Sequence, residues 1–190
     1  IKPKIKNNYL KSNINDENMN FAYSLAKLLK IKKNSFIKSM SSFLGLPHRY
    51  EIFLRKKNIT FINDSKGTSL QATKFALASS KNIYWILGGL PKYKDKIDLK
   101  YIKNNIIKSY IIGKNINFFK KQLKNKVKFS VRKNLRNAII QVLKDVKLSK
   151  QTSNTILLSP GAASFDQFEN FENRGNEFKK LSRLYAKKFI

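Results

Sequence analysis

The feature that most limits how this chain can fold is the alternation of short apolar runs with stretches of helical period. Residues 83–87 form an almost wholly apolar run that stops at Gly88-Gly89, and 109–112 stops in the same way at Gly113. Residues 127–131 and 155–158 are further strand candidates, the last running into Ser159-Pro160-Gly161. Runs this short and this apolar suit strands buried on both faces. Between them, 68–79, the stretch through Phe118 and Leu123, and 135–146 carry helical spacing, and a long helical region follows Gly161. Such alternation predicts an α/β fold: a mostly parallel, Rossmann-like sheet with helices on both faces. Ahead of it, 50–54 and 59–62 flank Lys56-Lys57-Asn58 and read as a hairpin.

The first part of the chain has a different character. Residues 1–12 are polar and basic without a clear period. In 17–31, Phe21, Leu25, Leu28 and Leu29 recur at helical spacing, with Ala22 and Ala26 between them. A second short helix is expected over 35–43, with Asn34 as its N-cap. Gly45-Leu46-Pro47 breaks the pattern and marks the expected boundary, with a helical fragment over 1–45 and a complete domain over 46–190.

Composition narrows the function. A chain of 190 residues that is 42% hydrophobic can build a real core. With no cysteine there is no disulfide framework, Cys-based zinc site or thiol nucleophile. No apolar run approaches the roughly 18–20 residues of a membrane span, and the basic start lacks the apolar stretch of a signal peptide. The first residue is Ile rather than Met, which suggests a piece of something longer. A net charge of +29 points first to nucleic acid. The lysines, however, are scattered through every segment among Asn and Ile, and Arg, the residue suited to bidentate phosphate contacts, is scarce.

Ligands of parallel sheets sit outside the carboxyl ends of the strands. The segments expected there are 63–69, 88–95, 113–115 and 159–166. Their residues each allow a plain structural reading. Asp64 or Ser65 can cap the following helix, and any one lysine can be a solvated surface charge. Arg49 can form a hinge salt bridge. A nucleophilic Ser164 lacks the G-x-S-x-G elbow, and the only histidine, His48, lies in another motif. Phe165 and Phe168 are spaced to pack on one helix face, with Phe171 next in the series.

Taken together, three stretches resemble the Mur ligase family, and within it the branch that adds D-glutamate to UDP-N-acetylmuramoyl-L-alanine. Leu157-Leu158-Ser159-Pro160-Gly161-Ala162-Ala163-Ser164-Phe165-Asp166-Gln167-Phe168, with Asn170-Phe171-Glu172 and Arg174-Gly175, matches the signature L-S-P-x-x-A-S-x-D-Q-F-x-N-F-x-x-R-G almost throughout. Gly45-Leu46-Pro47-His48-Arg49 with Asn63-Asp64-Ser65-Lys66-Gly67-Thr68, and Gly88-Gly89 with Lys92 and Asp95, follow the family's order. Asn15 and Asn18 resemble the H-N-x-x-N motif, with Ile14 at the histidine position.

The resemblance implies that 1–45 is the tail of a central ATP-binding domain and 46–190 the C-terminal domain. It implies D-glutamate binding by Lys66, Thr68, Lys92, Ser164 and the backbone near Phe171. It assigns Asn15, Asn18, Arg49 and Asp64 to the nucleotide, Arg49 to phosphate and Asp64 to ribose hydroxyls. The implied chemistry is ATP-dependent amide formation through an acyl phosphate, with magnesium held by upstream residues and no metal ligand or confident catalytic residue in this chain. Implied partners are UDP-N-acetylmuramoyl-L-alanine, D-glutamate and ATP, in a cytoplasmic enzyme that is monomeric at full length. The sequence holds no G-x-x-G-K-[ST] loop, so turnover by this chain alone is not expected. Two other classes stay open: a non-catalytic relic or regulatory ligand-binding domain, and a basic nucleic-acid-binding module.

Overall fold

The computed structural model describes Ile5, Asn7, Leu10 and residues 14–190, so most of the basic segment 1–12 lies outside the described residues. The chain divides into two compact units, Ile1–Leu46 and Pro47–Ile190.

The first unit pairs α1 (Ile14–Leu28) with α2 (Lys33–Ser42). Its small core joins Met19 and Ala26 of α1 to Phe36 of α2, with Tyr23 tilted against Phe36 at 5.2 Å between ring centroids. Asn7 Nδ2 donates to Met40 O and Phe43 O, at 2.9 and 2.7 Å, and so satisfies carbonyls at the end of α2. The stripe Phe21, Leu25, Leu28 and Leu29 faces solvent, with Phe21 75% and Leu28 80% exposed, while Met19 and Ala26 pack inward. One expectation is corrected here. Asn34 does not cap α2: the helix begins at Lys33, and the capping position is Lys32, whose side chain makes no cap bond.

The second unit is a six-stranded sheet in the order β1-β2-β6-β3-β4-β5, formed by β1 (Glu51–Lys56), β2 (Ile59–Asn63), β3 (Ile83–Gly88), β4 (Ile106–Ile112), β5 (Phe129–Lys133) and β6 (Asn154–Leu158). Only β1–β2 is antiparallel, as a hairpin; every other neighbouring pair is parallel. Every residue of β3 and β6 is buried, as expected of central strands covered on both faces. Side chains alternate between faces. Phe61, Tyr84, Ile86, Tyr110, Ile156 and Leu158 form one core with α5 (Leu135–Lys147) and α6 (Phe171–Phe189). Ile62, Ile83, Trp85, Leu87, Ile111 and Leu157 form the other with α3 (Leu70–Ala78) and α4 (Ile116–Leu123). Fully buried Trp85 satisfies its indole by donating to Ser159 O at 2.7 Å.

Three helix starts fall on side-chain caps: Ser69 accepts from Ala72 N, Asn134 from Asn137 N and Asn170 from Asn173 N. Neither Asp64 nor Ser65 caps α3. The C-terminal helix begins only at Phe171, so Phe165 and Phe168 do not share a helix face. Phe165 is 70% exposed, whereas Phe168 packs on the α5–α6 core.

Candidate functional site

Four backbone hydrogen bonds gather the loops that leave the parallel strands. Gly161 N donates to Gly67 O at 2.9 Å and Gly88 N to Pro160 O at 2.9 Å; Leu90 and Ala163 exchange a pair at 2.8 and 3.0 Å. Glycine is required for this approach. At Gly89, φ is +135° and a Cβ would stand 2.2 Å from Ala163 O; at Gly88, φ is +136° and a Cβ would meet Ile112 O at 2.0 Å. Asp95 Oδ2 accepts from Leu70 N at 2.7 Å, and Asp95 N donates to Lys92 O at 3.2 Å. The turn that carries Lys92 is thereby fastened to the first turn of α3, two residues beyond Thr68.

Lys66, Thr68, Lys92 and Ser164 thus all lie on loops at the carboxyl end of the sheet. Lys66 and Lys92 are exposed, Thr68 and Phe171 are half-buried, and Ser164 is buried. Lys66 Nζ sits 3.9 Å from the centroid of the Phe171 ring, a close cation–π contact that leaves the ammonium at the rim. Its backbone N donates to His48 O at 2.9 Å.

Beneath this rim lies a residue that sequence reasoning noticed but gave no role. Arg174, on α6, is 1% exposed. Its Nε donates to Ser65 Oγ at 2.9 Å, its Nη2 to Ser65 O at 2.8 Å and its Nη1 to Ala162 O at 3.0 Å. Ser65 Oγ in turn donates to Phe171 O at 2.8 Å. One guanidinium therefore ties the loop after β2 to the loop after β6 and to the start of α6. Burial pulls its pKa down to about 10, against the opposing pull of Asp166 and Asp64, and no carboxylate touches it.

Asp64 is 6% exposed and its oxygens are engaged inside the fold. Oδ2 accepts from Ser159 Oγ at 2.6 Å and Oδ1 from Tyr50 N at 3.1 Å. Burial pushes its pKa up to about 6 despite these bonds. Asp64 supports the floor of the site and offers little surface to a ligand.

His48 is buried at φ +61°. Its Nδ1 lies 2.9 Å from Asn63 Nδ2, which also donates to Glu51 Oε2 at 3.0 Å. The amide nitrogen is a donor, so Nδ1 accepts and the ring is neutral with its proton on Nε2. Burial, then Lys179, lowers the His48 pKa. Arg49 is exposed in the turn before β1, while Asn15 and Asn18 lie on α1 in the first unit. Among the described residues no group of three or more His, Cys, Asp or Glu is placed to hold a metal ion.

No protein-family model matches the chain. Individual relatives do. A UDP-N-acetylmuramoylalanine–D-glutamate ligase of Rickettsia felis is 36% identical over 95% of this chain and 40% of its own length. The enzyme of that name from Wolbachia of Brugia malayi is 39% identical over 88% of this chain and 33% of its own. The chain belongs to the Mur ligase family. A third relative, from Nitrobacter hamburgensis, is 38% identical over 92% of this chain and 37% of its own length. Among solved structures, MurF of Acinetobacter baumannii superposes over 90% of this chain and 38% of its own, with a TM-score of 0.63 at 15% identity, a likeness of fold. The chain thus spans about two fifths or less of the length of the Mur ligases it matches.

Proposed function

We propose that this chain is the D-glutamate-binding C-terminal portion of an ATP-dependent UDP-N-acetylmuramoyl-L-alanine:D-glutamate ligase of cell-wall precursor synthesis. In this reading 1–45 is the tail of the central ATP-binding domain and 46–190 the amino-acid-binding domain. The observation that carries it is the gathering of the Lys66, Thr68, Lys92 and Ser164 loops at one end of the sheet by the Gly67–Gly161, Gly88–Pro160 and Leu90–Ala163 bonds.

Lys66 and Lys92 supply two positive charges for the two carboxylates of D-glutamate. Thr68 adds a directional donor just ahead of α3, and Ser164 with the backbone at Phe171 takes the side-chain carboxylate. Fixing both carboxylates aims the amine at the activated carbonyl of the UDP-sugar substrate. The amine attacks the acyl carbon, the C–N bond forms, and phosphate leaves with the electron pair of the broken C–O bond. ATP supplies that phosphoryl group when the acyl phosphate is made. Arg49, with Asn15 and Asn18, contributes to holding the nucleotide, and Asp64 acts from beneath. The described residues provide no ligand set for magnesium.

The test is calorimetric titration of D-glutamate, with L-glutamate as control, into the chain and its Lys92→Ala variant. Saturable binding of the D-isomer, weakened by about 1.5–3 kcal/mol in the variant, is expected from loss of a charged hydrogen bond. Equal binding of both isomers, or an unaffected variant, would sink the assignment.

A further inference from the structure

The outer edge of the sheet carries a second cationic recess that the D-glutamate reading does not use. Along β5, Phe129 and Val131 pack toward the α3–α4 side, so Ser130 and Arg132 face α5. Between β5 and α5 lies a cleft of about 340 Å³ lined by Val131, Arg132, Lys133, Asn137, Ile140 and Gln141. No carboxylate is among these. The nearby acid on α5, Asp145, already accepts from Lys108 at 2.6 Å, Tyr110 at 2.6 Å and Gln141 at 2.8 Å.

On the same side of β5, two polar atoms, Arg132 Nε and Ser130 Oγ, are buried without a hydrogen-bond partner. A buried donor left without an acceptor forfeits its hydration, so such atoms mark a place where a partner belongs. Basic residues on an outer strand also discourage unwanted strand pairing. That role calls for charge in solvent and gives no reason to bury an Nε–H.

We propose that this cleft binds a small oxyanion, a carboxylate or a phosphate, and that a turn of the Arg132 side chain toward it gives the buried Nε–H its acceptor. Arg132 presents its planar fork, matched in shape to either group. Lys133 adds a second charge beside it, and Asn137 an amide from the first turn of α5. Ile140 gives the recess an apolar wall for a short carbon chain. None of these residues lies on the strand-end loops, so the site stands or falls apart from D-glutamate binding.

The experiment is NMR on the nitrogen-15-labelled chain, following the Arg132 Nε–Hε signal in the parent and, in parent and variants alike, the backbone amide signals of Lys133 and Asn137, which also line the cleft. Inorganic phosphate and succinate are titrated separately to about 10 mM at a salt concentration that screens diffuse attraction to so basic a chain. A saturable shift of Arg132 Nε–Hε is expected; whether phosphate or succinate produces it identifies the source of the oxyanion. Arg132→Gln should weaken the affinity at least about tenfold, as expected for loss of a charge-assisted fork. Arg132→Lys, which keeps the charge and loses the fork, should fall between and serves if the glutamine variant does not fold. Lys147→Gln, on the exposed end of α5, should change nothing. Shifts that rise linearly without saturation for both anions would overturn the proposal. So would an equal loss in Lys147→Gln, which would mean diffuse attraction alone.

Discussion

Replacing Arg174 by Met tests whether the buried guanidinium holds the site together. Methionine fills a similar volume with no donors. The substitution strips a partner from Ser65 O and Ala162 O, bonded at 2.8 and 3.0 Å, and from Ser65 Oγ at 2.9 Å. Ser65 Oγ retains its bond to Phe171 O, so the two carbonyls carry most of the loss. Each buried carbonyl left unsatisfied costs about 1–3 kcal/mol, which sums to about 2–6 kcal/mol. Removing a charge that no carboxylate pairs relieves part of its desolvation, which brings the expected net loss to about 2–4 kcal/mol. Arg174→Lys keeps the charge but cannot reproduce three bonds in a plane and should lie between. The assay is urea unfolding followed by the fluorescence of Trp85, the single tryptophan, which lies at the centre of the sheet and reports on the second unit alone. A midpoint for Arg174→Met within about 0.5 kcal/mol of the parent would refute the reasoning, because the three bonds would then contribute nothing beyond the cost of burying the charge.

Asp64 makes a pH-dependent contribution with a defined sign. Its pKa rises on folding from 3.8 to about 6, so the folded state binds more protons between those values, and stability should fall by about 3 kcal/mol as pH rises through that window. His48, lowered on folding, acts oppositely, so the measurement is the difference between the parent and Asp64→Asn across pH 4–7; parallel profiles would contradict the assignment. Gly89→Ala should cost at least about 2 kcal/mol, since its Cβ would lie 2.2 Å from Ala163 O at φ +135°, and circular dichroism melting would read the loss. Phosphate release from ATP, with UDP-N-acetylmuramoyl-L-alanine and D-glutamate, should be undetectable for this chain; turnover would mean that its nucleotide site has been misassigned.

The parts of the fold that were legible in the sequence are those where one pattern admits one packing. Residues 83–87 are apolar without a break and end at Gly88-Gly89, so a doubly covered strand was the natural reading. The hairpin around Lys56-Lys57-Asn58 and the α/β layering followed from the same logic. The first helix was different, because α1 carries two apolar stripes of the same period. The bulkier one, Phe21 to Leu29, is exposed, whereas Met19, Ala26 and half-buried Tyr23 pack against α2. Periodicity locates a helix face but does not say which of two faces meets a partner.

The site loops were visible as polar segments at strand ends, and the resemblance supplied their residue roles. What holds those loops was not visible. Arg174 sat in the quoted signature, yet arginine is usually a surface residue, and nothing in one sequence announces a buried one. Asp64 was given as a cap or a ligand contact; it does not cap α3, and its carboxylate turns inward to Ser159, whose hydroxyl lies 95 positions away in the chain. The stretch from Ser164 to Phe168 read as helix because its aromatic spacing fits one. Ser164 O accepts from Gln167 N and Phe168 N, at 3.0 and 2.9 Å, which makes a turn, and Asn170 then starts the real helix.

The position of β6 sets the order in which a newly made chain can become this structure. β6 spans Asn154–Leu158, is the last of these six strands to leave the ribosome, and belongs in the middle of the sheet, between β2 and β3. Until it is made, the β1–β2 hairpin and the β3–β4–β5 half share no hydrogen-bonded neighbour. Both halves must wait with one edge open, and Arg174 can clasp the site loops only afterwards. Such long-range closure is slow compared with local helix formation, and open parallel edges invite the wrong partners meanwhile. A chain stopped by a nonsense codon at Lys150 would retain four-fifths of its length and still be unable to assemble the sheet.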